Sequence, residues 1–217
     1  GWYSQPSVNV GVPMAKILIY IEFSDNSTQS VVSNGNTWYQ ANGPIRMNDI
    51  YQGEWYDATQ ETPGWLRKYY NYSSWSKAAV ISNPTVGELR SSAIMPVARK
   101  VESYTPVAIT EPSLGVYVVD FGQNLAGYCQ IRIPGNNKRG TNVTMIHSEE
   151  LDESGFVVQM YSNSPMIATY TLRGDGNDEV YEPVFTYFGY QYVQITGLPS
   201  TLAQNEITSY FIHTDFG

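Results

Sequence analysis

The fold class is decided by residues 17–33, which read ILIYIEFSDNSTQSVVS. An apolar run at 17–23 stops at the turn-forming residues 24–27, and a second short run follows at 29–33. Branched and aromatic residues on both sides of an Asp-Asn turn are typical of a β-hairpin. The stretch therefore predicts two antiparallel strands in this part of the chain.

Strand patterns of the same kind recur every ten to twenty residues along the chain, separated by Gly, Asn and Pro clusters. The best helix candidate, residues 73–79, is long enough for only one or two turns. The pattern predicts an all-β fold built of antiparallel β-sandwich or jelly-roll modules. The further predicted strands are 116–121, 128–133, 142–147, 168–172, 187–195 and 207–213.

Composition and charge exclude several classes of partner. Twenty acidic residues against 12 basic ones give a net charge of −8, which argues against nucleic acid and anionic membrane surfaces. No apolar run approaches the ~20 residues of a membrane-spanning helix. The single cysteine, Cys129, excludes an internal disulfide and is predicted to be a buried thiol. Glycosylation sequons at Asn26, Asn71 and Asn142 favour a secreted, extracellular protein.

Three longer motifs follow one another along the chain. The first is GPIRMNDIYQGEWYDA at 43–58, with Pro-Gly-Trp at 63–65. The second is YVVDFGQNLAG at 117–127, with HSEELD at 147–152, and the third is YEPVFTYFGYQYV at 181–193. In their order and spacing they resemble the non-catalytic β domains of α-L-rhamnosidases of the inverting glycoside hydrolase type. The similarity covers nearly the whole chain.

The resemblance implies two modules joined by a linker at residues 83–94. Residues 1–82 are similar to the second half of a jelly-roll domain that binds rhamnose through calcium in some family members. Residues 95–217 are similar to the concanavalin-like sandwich that leads into the catalytic barrel. That barrel and the front half of the jelly roll are expected to be absent, so the chain alone is expected to hydrolyse nothing. The implied partners are a rhamnose-type glycan and the missing catalytic domain, or another chain that completes the jelly roll.

Candidate carbohydrate-binding residues converge in the first module. Asn48, Asp49 and Glu54 bring oxygen ligands close to aromatic side chains, and the resemblance adds Trp2 and Tyr3. A sugar needs a flat apolar face together with oxygens or a cation for its hydroxyls. Calcium takes six to eight oxygen ligands, so Asn48 and Asp49 are candidate calcium ligands. The same polar groups could instead cap turns around a half-buried Tyr-Trp cluster, and both alternatives stay open. No catalytic residue is expected.

Other polar and aromatic clusters are expected to be structural. Residues 175–179, DGNDE, lack the later Gly and Glu of an EF-hand loop and favour a solvated hairpin. His147, with acids at 149, 150 and 152, predicts a polar strand end rather than an acid–base or metal site. Because residues i and i+2 share a strand face, Phe185 and Tyr187 are expected to point together. The aromatic residues expected to pack the second sandwich are Phe185, Tyr187, Tyr190 and Tyr192.

Two functions from different classes remain. The first is an accessory part of an α-L-rhamnosidase-like hydrolase, which scaffolds the catalytic domain and holds rhamnose-type carbohydrate. The second is a free-standing secreted lectin or structural protein that uses the same modules. Phe188 and Gln191 stand where the related motif usually carries His and Arg, and this loss of charge favours the second hypothesis.

Overall fold

The computed structural model describes residues 14–82, 96–135, 137–159 and 165–215. Within these ranges the chain forms strands and two short 3₁₀ turns, Ala58–Gln60 and Gln204–Glu206, and no α-helix. The all-β prediction is therefore confirmed. None of the described segments is a helix long and apolar enough to cross a membrane. The strands are β1 (Leu18–Glu22), β2 (Thr28–Val32), β3 (Tyr39–Gln40), β4 (Ile45–Asp49), β5 (Gly53–Asp57), β6 (Ser76–Lys77), β7 (Ala98–Tyr104), β8 (Ala108–Ser113), β9 (Val116–Ile133), β10 (Asn142–Ser148), β11 (Ile167–Thr171), β12 (Glu179–Tyr181), β13 (Phe188–Thr196) and β14 (Ile207–Thr214).

The described residues divide into two compact units. The smaller unit contains residues 14–42 and 62–82, and the larger unit contains 43–61 and the described residues from 96 onward. The linker predicted at 83–94 lies outside the described residues, so this boundary stays a prediction. Residues 43–61, which the sequence grouped with the first module, pair with strands of the larger unit.

The smaller unit contains the hairpin that residues 17–33 predict. Strands β1 and β2 pair antiparallel from Leu18 opposite Val32 to Glu22 opposite Thr28. The turn is closed by the Asp25 carboxylate, which accepts hydrogen bonds from the amide and the hydroxyl of Ser27 at 2.9 and 2.6 Å. The helix candidate at 73–79 does not form a helix. This segment turns and then forms β6, which pairs with β3.

The larger unit is built on a ten-stranded, mostly antiparallel sheet in the order β4-β5-β11-β10-β13-β9-β14-β7, with β8 and β12 also paired to β9. Strand β9 is 18 residues long and unites the two strands predicted at 116–121 and 128–133. Its first half pairs with β8, its second half with β12 and β14, and β13 follows both halves across a register shift. The sheet thereby curls around one core, whose most fully buried side chains include Tyr190, Ile131, Ile133, Met145 and Ile195.

The pairing of β5 with β11 is parallel, unlike the rest of the sheet. Gly53 at the start of β5 has a φ of +109°, and a Cβ there would lie 1.9 Å from the carbonyl oxygen of Ile167. Only glycine permits this close approach of two backbones. Gly53 therefore allows the β4–β5 hairpin to join the edge of the sheet, and this join positions Asn48, Asp49 and Glu54.

Candidate functional site

The predicted carbohydrate residues lie in two different parts of the chain. Trp2 and Tyr3 fall outside the described residues. Asn48 and Asp49 end β4, and Glu54 lies in β5, directly opposite Asn48 in the hairpin register. The structure therefore brings together Asn48, Asp49 and Glu54 in the larger unit.

Glu54 is fully buried, and its carboxylate is used inside the protein. One oxygen accepts hydrogen bonds from the Asn48 side-chain amide at 3.0 Å and from the Val184 backbone amide at 3.2 Å. The other accepts the Tyr181 hydroxyl at 3.2 Å. A buried carboxylate needs such donors, because losing water without replacement costs several kcal/mol per charge. Both oxygens of Glu54 are thus occupied by donors of the chain itself.

Asp49 caps the turn between β4 and β5. One carboxylate oxygen accepts the backbone amides of Tyr51 and Gln52 at 2.8 and 2.9 Å, an arrangement common for Asp at turns. Its backbone carbonyl also accepts the Thr186 hydroxyl at 3.4 Å. Of the two alternatives left open by the sequence, the geometry of the hairpin matches turn capping. Within the described ranges, no group of three or more His, Cys, Asp or Glu residues is arranged to hold a metal.

A stack of three tyrosines beside Glu54 is a feature that sequence reasoning missed. Tyr56, Tyr170 and Tyr181 come from three strands, and Tyr170 stacks on both others, at ring-centroid distances of 5.7 and 4.9 Å. Their hydroxyls donate to Glu61, Glu179 and Glu54 respectively. Burial, together with the neighbouring negative charge, raises the pKa of all three hydroxyls, which keeps them protonated donors. The cluster therefore stabilises the junction of β5, β11 and β12.

The acidic segment at 175–179 connects β11 to β12 and is not a hairpin, since these strands pair with different neighbours. Asp175 accepts the Arg173 guanidinium, and Asp178 accepts that of Arg132. Glu179 is buried and accepts the backbone amides of Arg173 and Gly174 at 2.8 and 2.9 Å. These acids are therefore engaged by the chain's own donors.

His147 is buried, whereas the acids that follow it at 149, 150 and 152 are exposed. Its ring stacks on Phe188 at 4.0 Å, and its Nδ1 donates to the Met166 carbonyl at 3.1 Å. Nε2 has no hydrogen-bond partner among the described residues, and burial lowers the pKa of the imidazole to about 3. The neutral ring therefore belongs to the core rather than to an acid–base site.

Cys129 is a buried free thiol, as predicted. Its sulfur lies 3.2 Å from the Tyr190 hydroxyl, which in turn lies 2.6 Å from the Ser209 hydroxyl. Burial raises the pKa of the thiol to about 12, so it is protonated at neutral pH. A protonated, enclosed thiol is a poor nucleophile and metal ligand.

The expected packing of Phe185 and Tyr187 is wrong. Phe185 is 67% exposed and Tyr187 is 48% exposed, because both precede β13, which begins at residue 188. Tyr190 is buried and Tyr192 is half-buried, as predicted, and the neighbouring Phe188 is buried as well. The exposed segment, residues 184–187, lies beside the β4–β5 hairpin. The Val184 amide donates to the Glu54 carboxylate, and the Thr186 hydroxyl donates to the Asp49 carbonyl. We call the exposed side chains of both segments the apolar shelf: Ile50, Tyr51, Val184, Phe185 and Tyr187.

The smaller unit carries a second surface feature, which we call the aromatic cleft. It is an open cavity of about 550 Å³. Rings along it lie close to one another, with centroids 4.9 Å apart for Tyr39 and Tyr72 and 5.8 Å apart for Tyr70 and Trp75. The residues that line it are Thr37, Tyr39, Trp65, Arg67, Tyr69, Tyr70, Tyr72 and Trp75.

Comparisons with known proteins match both halves of the chain. Residues 4–101 match the α-L-rhamnosidase N-terminal domain, and residues 110–213 match the bacterial α-L-rhamnosidase concanavalin-like domain. An α-L-rhamnosidase of Streptomyces avermitilis is 33% identical over 99% of this chain, but only 21% of its own length is covered. The chain thus spans about a fifth of the length of this relative.

Two solved structures have the same fold over most of the chain. An α-L-rhamnosidase from Dictyoglumus thermophilum superposes with a TM-score of 0.85 at 33% identity, over 92% of this chain and 22% of its own. The Streptomyces avermitilis α-L-rhamnosidase complexed with L-rhamnose superposes with a TM-score of 0.83 at 32% identity, over 91% and 19% respectively.

Proposed function

The chain belongs to the α-L-rhamnosidase families of the N-terminal and concanavalin-like domains, and we propose that it is a non-catalytic β module that scaffolds the catalytic part of such an enzyme and holds carbohydrate near it. The parent reaction would be the inverting hydrolysis of α-L-rhamnosides. Family membership supports the assignment as a module of an α-L-rhamnosidase-like enzyme. The surface of the larger unit supports the scaffolding role.

The apolar shelf is the observation that carries the scaffolding proposal. Its five large apolar side chains are exposed on two adjacent segments whose backbones are fixed by Glu54 and Asp49. Large apolar side chains exposed together on adjacent segments are typical of interaction sites in folded proteins. Because relatives are about five times longer than this chain, we assign the shelf to the remaining part of the same polypeptide. A separate chain would be the occupant if the protein acted as a free-standing lectin.

The scaffolding role can be tested in the longer polypeptide that contains this chain. The double variant Val184→Ser/Phe185→Ser should lower the melting temperature of the longer polypeptide and leave that of the isolated chain unchanged. Leu114→Ser is the matched control, because Leu114 is also an exposed apolar residue and lies outside the shelf, in the β8–β9 turn. Equal melting temperatures for the shelf variant and the control in the longer polypeptide would argue against docking at the shelf.

Secretion is also part of the proposal. The asparagines of the three sequons, Asn26, Asn71 and Asn142, are all exposed in the structure, which supports it. An antibody against this chain, applied to cell and medium fractions of the source organism, tests secretion directly. Recovery from the cells alone would contradict it.

A further inference from the structure

The aromatic cleft of the smaller unit is formed by consecutive turns that project rings outward. Backbone hydrogen bonds from Trp65 to Thr62, Arg67 to Gly64 and Tyr70 to Arg67 bend the chain three times within nine residues. The ring of Tyr72, which follows these turns, contacts the ring of Tyr39 on β3. The cleft therefore lies entirely within one compact unit, built by a short segment packed against a strand.

Three of the six rings that line the cleft are exposed to solvent. Tyr69 is 88% exposed, and Trp65 and Tyr72 are at least half exposed. Tyr69 also has a φ of +68°, a backbone conformation that costs free energy for a residue with a bulky side chain. A strained backbone conformation that does not serve to bury the side chain is typical of binding sites, where the strain orients the side chain toward a ligand.

The lining residues define the kind of ligand. Flat aromatic faces pack against apolar ring faces, tyrosine hydroxyls can form hydrogen bonds, and the volume is within the ~300–1,000 Å³ of ligand pockets. A pyranose sugar has both an apolar C–H face and a rim of hydroxyls. A cationic ligand is disfavoured, because the lining has no Asp or Glu and Lys68 lies 4.9 Å from the centre of the Tyr69 ring.

Arg67 adds a charge requirement. It is the one charged residue in the lining, and its guanidinium forms no ion pair among those found within the described residues. The chain as a whole has a net charge of −8, so an anion is attracted only where a local cation is available. Guanidinium groups bind carboxylates with two parallel hydrogen bonds.

We propose that the aromatic cleft binds a pyranose sugar that carries a carboxylate, with the sugar ring against the aromatic side chains and the carboxylate on Arg67. This inference rests on the proposed carbohydrate-holding function, and it places the sugar in the smaller unit rather than at the β4–β5 hairpin.

Titration of the chain with D-galacturonate and with D-galactose, followed by tryptophan fluorescence and NMR shifts, tests the proposal with two sugars that differ at one carbon. Galacturonate should bind about threefold to fivefold more tightly than galactose, as expected for one exposed ion pair. The preference should disappear in Arg67→Gln and on raising NaCl from about 0.05 to about 0.5 M. Trp65→Ala should weaken binding of both sugars by about twofold to tenfold.

Tyr20→Ala, which removes an exposed aromatic side chain from β1 of the smaller unit, outside the cleft lining, is the matched control and should bind both sugars like wild type. Equal affinity for the two sugars, or a preference that survives Arg67→Gln, would overturn the assignment. Binding that is unchanged in Trp65→Ala but lost in Asp49→Ala would place the sugar at the β4–β5 hairpin. That result would refute binding in the cleft and leave the carbohydrate-holding function standing. Binding of neither sugar would refute the cleft and leave the shelf proposal standing.

Discussion

Lowering the pH from about 7.5 to about 5 should destabilise the larger unit by about 2 kcal/mol through His147 alone. The ring is fully buried against Phe188 and Tyr190, and its Nε2 has no partner that could share a second proton. Protonation would place an uncompensated charge in the core, which is the most costly kind of burial.

The sign and size follow from the pKa of the imidazole in the two states. Burial lowers the pKa from 6.5 to about 3, against the smaller opposing effect of the hydrogen bond to Met166. Below pH 6.5 the unfolded chain binds a proton that the folded chain does not, so the contribution is fully present above 6.5 and is lost as the pH falls toward 3. At pH 5 the loss spans about 1.5 pH units, each worth about 1.36 kcal/mol.

Urea unfolding followed by far-ultraviolet circular dichroism at several pH values measures the effect. His147→Gln has no titratable ring, so its free energy of unfolding should change about 2 kcal/mol less than that of wild type between pH 7.5 and 5. The exposed His213, replaced in the same way, is the matched control for the loss of an imidazole ring. The same pH dependence in wild type and His147→Gln would refute the reasoning.

Three further predictions concern stability and activity. Phe188→Ala should lower the free energy of unfolding in urea by about 3–5 kcal/mol, because it empties a buried site against His147. Phe185→Ala in the exposed shelf should lower it by less than about 0.5 kcal/mol. The reverse order would mean that the strand faces are misassigned. Glu54→Ala should cost about 3 kcal/mol by leaving the donors around it unpaired, and Glu54→Gln, which keeps one acceptor, should cost less; equal losses would contradict this account. The isolated chain should not hydrolyse aryl α-L-rhamnosides, since its buried carboxylates Glu54 and Glu179 are both committed to internal hydrogen bonds; turnover that is lost on changing one of its own acids would contradict this.

Local chemistry was enough to predict the hairpin and most strands. The run at 17–23 and its Asp-Asn turn lie within 17 consecutive residues, and the turn uses the Asp25 carboxylate as such turns usually do. The strand predictions at 142–147 and 207–213 succeeded because alternation is visible within each segment. The helix candidate at 73–79 could not be judged in this way, because a segment of seven residues has too little periodicity to distinguish a helix from consecutive turns.

The site could not be predicted in the same way, because its contacts join distant segments. Glu54 meets Tyr181 across 127 positions of sequence, and nothing near Glu54 signals that its carboxylate is buried. The register of Phe185 illustrates another limit: alternation tells which residues share a face, but it does not tell at which residue β13 begins. Two glycines, Gly122 and Gly127, made β9 resemble two strands, although one strand runs through both and its pairing with β13 shifts register between Asp120 and Leu125.

The order of strands in the large sheet determines how long β7 lacks its neighbouring strand during biosynthesis. Strand β7, at Ala98–Tyr104, has β14 as its sheet neighbour, and β14 begins only at Ile207. At ~5–20 residues per second, a growing chain carries β7 unpaired for roughly 5–20 seconds, as an edge that other nascent chains could extend. Charged side chains at Arg99, Lys100 and Glu102 on β7 oppose such pairing. Chains halted before Ile207 should therefore remain cleavable by protease at β7, because β14 supplies the pairing of that strand.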